Sequence, residues 1–171
     1  MRPTLRRLLR LWRVQRDRRG GRLPQRRDFD PLELGPKLLP YVSIVERDGD
    51  RLRFRLCGTG LAKAAGLDLT GAYVDALNPN KDYARYITGL YEQAMSRCQP
   101  ILSESTFIAS IAIAQGRTQR LICPLAYDGE TVDHFIGTQV FERSEDSLGD
   151  LTMTYAAGFL PGDTRPIEDE A

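Results

Sequence analysis

Histidine occurs once in the 171 residues, and the three cysteines never form a CxxC pair. A multi-histidine metal centre needs more imidazoles than that. A Ser–His–Asp arrangement would hang on His134 alone, with nothing else pointing to it. Cys57, Cys98 and Cys123 are odd in number and widely spaced. They suit neither a disulfide scaffold nor a zinc site, and fit small buried side chains in a reducing compartment. No uninterrupted run of 18 apolar residues exists, which excludes a spanning helix. The N terminus is broken by Arg throughout and has no apolar core of the signal-peptide kind. Neither GxGxxG nor GxxxxGKS/T occurs, so no phosphate-cradling loop is evident. Together these absences predict a protein that is not an enzyme, carries no metal, and works in the cytoplasm.

What remains is an ordinary globular composition, 42% hydrophobic and 27% charged. A chain of roughly 150 residues buries about 68–70% of its unfolded surface, enough for one core without staples. The net charge of +1 hides a division: residues 1–27 hold eleven Arg and one acid, Asp17, giving +10, while the rest carries −9. The main electrostatic fact is thus a basic arm on an acidic body.

Along residues 4–16, Leu5, Leu8, Leu9 and Trp12 recur at i, i+3, i+4 and i+7, one apolar helical stripe among arginines. Thr4 is the expected N-cap, and Gly20-Gly21 the stop. After a polar linker, Asp30 and Pro31 open a short helix with Leu34 and Leu38 on one face, ended at Pro40. Tyr41–Glu46 and Arg51–Cys57 then read as strands around an Asp-Gly turn, with Leu52, Phe54 and Leu56 sharing one face. Helical pieces follow, the longest from about Lys81 to Arg97 with Tyr83, Ile87, Leu90, Tyr91 and Ala94 on its apolar side. Period two returns with Phe107, Ala109, Ile111 and Ile113, a turn at Gln115-Gly116, Leu121, Cys123 and Leu125 in alternation, and a second Asp-Gly turn before Thr131–Glu142. Pro124 inside that pattern should mark a strand end or bulge. This order predicts an α+β domain. It has a five-stranded antiparallel sheet, helices inserted between strands 2 and 3 and lying on one face, and an N-terminal helical extension.

The stretches RRDFDPLELGPKLLPYVSIVE, FRLCGTGLAKAAGLDLTG and QRLICPLAYDGETVDHFIG resemble, in that order, the opening, the Gly-Thr turn and the closing hairpin of the PAS domain. The likeness is to its bacterial single-domain PAS_5 subfamily. The resemblance spans roughly residues 22–143, leaving 1–21 as a basic amphipathic helix and 144–171 as a tail. Gly58, Gly66, Gly71, Thr59 and Thr70 read as fold-shaping positions, with glycine where φ is positive. The likeness implies a sensory or adaptor module of bacterial signal transduction, acting by small-ligand binding, by protein–protein contact, or both.

PAS-like domains take ligands between the sheet and its helices. Flavin-binding photosensory members carry an Asn-Cys-Arg motif, and haem-binding members a histidine on or near the long helix; this chain has neither, so no known cofactor is implied. The expected pocket, for an unidentified small apolar ligand, is lined by Phe54, Leu56, Tyr73, Ile87, Phe107 and Leu121, with His134 beside it on the face of Val132, Ile136 and Val140. The same side chains would serve as a filled core, and the sequence leaves both readings open. The stripe of Leu5, Leu8, Leu9 and Trp12 is expected to dock on PAS surface across a homodimer. Packing on its own body, contact with an anionic membrane and contact with nucleic acid are the alternatives. Any signal must leave through a partner protein or through dimer rearrangement.

Overall fold

The structure is a computed structural model, and it describes residues 1–77, 80–108, 115–143 and 158–168. Pro3, rather than Thr4, opens helix α1 (Pro3–Arg18); its preset φ and missing N–H suit a first turn, and no side chain caps that end. Gly20 and Gly21, both at positive φ, stop the helix, and the Gly21 N–H returns to the Arg16 carbonyl at 3.0 Å. In α2 (Pro31–Leu38), Asp30 accepts the Leu32 N–H at 2.8 Å, and Leu34 and Leu38 are buried.

Strands β1 (Val42–Asp48) and β2 (Arg51–Cys57) form a hairpin closed by the Asp48–Arg51 pair. Gly49, at the turn, has φ 62. Helix α3 (Thr59–Ala65), a 3-10 turn at Val74–Ala76, and α4 (Lys81–Arg97) follow. Asn80 caps α4 by accepting the Asp82 and Tyr83 N–H groups. Strands β3 (Ile101–Ile108), β4 (Gln115–Leu125), β5 (His134–Arg143) and β6 (Gly158–Pro166) complete one antiparallel sheet in the order β2-β1-β5-β4-β3-β6.

The α+β fold with helices between strands 2 and 3 is therefore present, with three departures from expectation. First, the sheet has six strands, because β6 pairs with β3 from within the segment read as a tail. Pro161 and Pro166 hid it; proline is tolerated there because β6 is an edge strand. Second, Gln115-Gly116 is not a turn but the start of β4, opposite Ile108 and Phe107. Of the apolar set proposed with Phe107, residues 109, 111 and 113 lie outside the described residues. Third, helices cover both faces of the sheet. α4 packs on β3 and β4, where the Tyr86 hydroxyl meets the Ser103 hydroxyl at 2.8 Å. α1 packs on β4 and β5 from the other side, where the Arg2 N–H reaches the Gln119 side chain at 2.9 Å. Pair partners share a face, so Ser103, Arg120 and Gln139 point toward α4, while Gln119, Cys123 and Ile136 point toward α1.

The stripe on α1 meets this second face. Leu5, Leu8, Leu9 and Trp12 are all buried, Trp12 to 1% exposure, within the single hydrophobic core of the chain. The Trp12 indole N–H donates to the Pro124 carbonyl at 2.9 Å, and the Arg16 guanidinium lies 5.2 Å from the Trp12 ring centre. Pro124 is accommodated because the β3 ladder ends at Ile122, two residues before it. The expectation that these four side chains serve a dimer partner is thus corrected: the chain's own sheet covers them. The physical reason is that the alternating Leu121, Cys123 and Leu125 leave an apolar surface facing outward, and a short amphipathic helix is marginal until such a surface covers its stripe.

The packing yields two expectations. Trp12→Ala should cost about 3–5 kcal/mol in chemical denaturation, and Trp12→Phe, which mainly removes the indole donor, about 1 kcal/mol. Trp12 emission should be blue-shifted and independent of protein concentration, since the contact lies within one chain; a red shift on dilution would count against it. At Gly71, φ is 86 and no atom lies within 4 Å of the place a Cβ would take, so Gly71→Ala should cost only the backbone strain, about 1–2 kcal/mol. Gly58→Ala should cost more by the same measurement, because its Cβ would collide with the Pro40 carbonyl.

Candidate functional site

Strand alternation brings a mixed polar and apolar set to the inner face, beneath α4. Ser43 comes from β1, Phe54 from β2, Arg120 and Ile122 from β4, and Gly137 and Gln139 from β5. Tyr83, Ile87 and Tyr91 of α4 close it from above, leaving a chamber of about 50 Å³. Tyr91 stacks edge-on against Phe135 at 5.1 Å. Burial pushes the Tyr91 phenol well above its ordinary range, against the pull of the nearby Arg120 charge, so Tyr91 stays protonated.

Arg120 is the main charge in this interior. It is only 7% exposed, and its Nε donates to the Gln139 side-chain oxygen and its Nη2 to the Tyr83 hydroxyl, both at 3.3 Å. Its Nη1 is buried with no hydrogen-bond partner. The Gln139 amide is itself held, donating to the Thr118 hydroxyl at 2.8 Å. The Thr118 hydroxyl in turn donates to the Val140 carbonyl at 3.1 Å. This chain of bonds fixes the acceptor that Arg120 uses.

The outer face carries a second, more open feature. A cleft of about 750 Å³ lies between the sheet and the segment joining α1 to α2. Its floor is Val42, Ile44 and Ile136, its walls include Phe29, Leu34 and Leu39, and Arg26, Arg27, Asp133 and His134 stand among its lining. The linker wall is fixed by Asp28, which accepts from the Gln25 N–H at 2.8 Å and pairs with Arg19. Burial opposes ionisation of Asp28, but the hydrogen bonds from Arg19 and Gln25 outweigh it and hold the carboxyl below its usual range. The His134 ring Nδ1 lies 2.7 Å from an Asp133 carboxylate oxygen, and its Nε2 lies 4.0 Å from Glu46.

The residues expected to line one pocket are therefore distributed. Phe54 and Ile87 do line the inner chamber. Leu56 and His134 line the outer cleft instead. The cause for Leu56 is a bulge: Ile44 pairs with Leu56 and Val45 with Phe54, so Arg55 is an extra residue and Leu56 turns to the opposite face. Leu56 is 41% exposed as a result. Leu121 borders the chamber along its strand, but alternation sends its side chain to the α1 face with Cys123. Tyr73 lines neither; its hydroxyl donates to Asp48 at 2.7 Å, and the Arg51 guanidinium lies 3.7 Å over its ring. Phe107 pairs with Gly116 and Phe159 in the sheet, and its side chain lies outside the described residues.

Arg120 and Gln139 were missed as site residues. The available signal was Arg120 itself, a charge lying in strand alternation with Thr118 and Ile122, opposite in parity to the apolar Leu121 and Cys123. Of the three cysteines, Cys123 is fully buried, and burial pushes its thiol far above the ordinary range. It is a packing residue there.

No curated protein matches the chain. The family model for the PAS domain, PAS_5, matches residues 1–140, and so takes in α1, the helices and strands β1 to β4 with most of β5, while β6 lies beyond it. With that match over most of its length, and a single antiparallel sheet whose helices are inserted between strands 2 and 3, the chain belongs to the PAS domain family.

Proposed function

We propose that the chain is a sensory or adaptor module of bacterial cytoplasmic signalling that catalyses nothing, takes a small ligand in the inner chamber, and passes its state to a partner protein or to a second copy. The family supports the broad reading, since PAS domains are sensory or signalling modules. The observation that carries the finer one is the size and lining of the chamber. At about 50 Å³ it is small beside the roughly 150 Å³ cavity that takes benzene. Flavin and haem are far larger than that, whereas a ligand of a few heavy atoms matches. The enclosure by α4 also suits a ligand held away from solvent. Among the described residues no helix is long and apolar enough to cross a membrane.

A second reading is favoured by one feature. Arg6 and Arg10 lie one turn apart on α1 and are exposed, while the apolar stripe of the helix is docked. What α1 offers outward is thus mainly charge, with Val14 its one exposed large apolar side chain, a surface for nucleic acid or an anionic membrane. Its binding would be electrostatic and steeply salt-dependent.

Native mass spectrometry of the purified full chain, read beside its absorbance spectrum, tests the first reading. The expected result is a colourless protein carrying at most a small adduct, in a dimeric or partner-competent state. A stoichiometric haem or flavin band would overturn it. For the second reading, binding to labelled duplex DNA or to anionic vesicles is compared at about 50 and 200 mM salt. Weak binding lost at the higher salt is expected of bare surface charge, and tight binding that survives would move the function to the arm.

A further inference from the structure

We infer that the inner chamber is a receptor site for a small monoanion, with Arg120 as its charge and a short carboxylate such as formate or acetate as the best-fitting class. This rests on the reading of the chamber as a ligand site and adds the chemistry of the ligand. Three observations carry it. A guanidinium does not lose its proton in proteins, so Arg120 is a permanent positive charge. That charge is 7% exposed, and among the described residues no acidic side chain lines its chamber. Its two protein contacts are both to neutral oxygens, both at 3.3 Å, and Nη1 has none.

A buried charge is ordinarily paired, because taking it out of water costs far more than neutral acceptors return. The unmet requirement at Arg120 is therefore an anion, and the unpaired Nη1 supplies the donor for it. Geometry sets the class. The guanidinium fork matches the two oxygens of a carboxylate, and the Tyr83 hydroxyl stands beside it as a further polar group. The volume of about 50 Å³ limits the ligand to a few heavy atoms. Apolar neighbours, Phe54, Ile87 and Tyr91 among them, suit a methyl group better than a second charge. Gln139, held by Thr118, keeps the guanidinium in place and leaves that fork oriented.

The test is thermal unfolding of the full chain at fixed sodium concentration. Acetate, formate, chloride and nitrate are titrated singly against citrate, which is too large, and acetamide, which has the shape of acetate without its charge. Acetate or formate should raise Tm by about 5–10 °C at a hundredfold excess over Kd, with saturation, and citrate and acetamide should not. The chloride and nitrate arms separate a carboxylate receptor from a site for inorganic monoanions. Arg120→Met removes the charge while keeping most of the volume, and should abolish the shift without lowering the basal Tm, since a buried unpaired charge is lost. Tyr83→Phe is the milder variant, expected to weaken the shift severalfold if Arg120→Met does not fold. A shift that persists in Arg120→Met, or one that acetamide matches, would overturn the anion receptor while leaving a small-ligand chamber standing. No shift with any of the small probes would overturn both.

Discussion

The sheet has a largely apolar outer face and an inner face of mixed polar and apolar side chains, and both need roofing. On the inner side the connection between β2 and β3 does this, with α4 laid across β3 and β4. On the outer side the roof is α1, whose stripe packs on β4 and β5 with α2 alongside. The fit is mutual: Leu5, Leu8 and Trp12 have almost no exposure, and neither do Cys123, Leu125 and Ile136. Fully burying each such side chain is worth about 1.5–3 kcal/mol, so removing α1 would expose a large apolar area on both partners. The helix therefore belongs to the core rather than to an appendage, in line with a family match that begins at residue 1.

Docking α1 also redistributes the charge that dominates its sequence. Arg2 pairs with Glu142, Arg18 with Glu33, Arg19 with Asp28 and Arg22 with Glu130. Most of these are surface pairs worth little individually. Collectively they show where the acidic body meets its own arm, and Arg6, Arg7 and Arg10 remain exposed on α1 outside those pairs.

The fold was largely legible because its signals are local. Asp30-Pro31 begins α2, Asn80 caps α4, Asp-Gly marks the tight turn between β1 and β2 and falls within the longer loop from Ala126 to Asp133 that joins β4 to β5, and period two marks β2 and β4. What escaped was set by pairing rather than by pattern. Nothing in RLRFRLC announces that Arg55 is bulged, because the bulge exists only relative to β1. The consequence was that Leu56 was assigned to the pocket of Phe54, when the structure turns it outward; His134 lies on the outer face with Ile136, away from that pocket. β6 escaped for a related reason: its prolines are permitted only because it lies at the edge of the sheet. The stripe on α1 was read correctly as needing cover, but a sequence does not say whether cover comes from the same chain.

The two faces share β4. Arg120 points into the chamber under α4 and Leu121 points under α1, as neighbours on one backbone. Four residues along from Arg120, the Pro124 carbonyl holds the Trp12 indole. β4 is also hydrogen-bonded on both sides for most of its length, to β3 and β5, so it does not shift without them. Any rearrangement that draws the Arg120 guanidinium toward a new partner acts on a strand whose opposite surface is the seat of α1. A close-packed interior transmits such a displacement rather than absorbing it. The outer cleft, walled by the segment that follows α1, lies on that same outer face, with Leu56 exposed and Arg26, Arg27, Asp133 and His134 in its lining. Inner chamber and outer cleft thus lie on opposite faces of one sheet, with β4 contributing Arg120 to the first and seating α1, whose following segment walls the second.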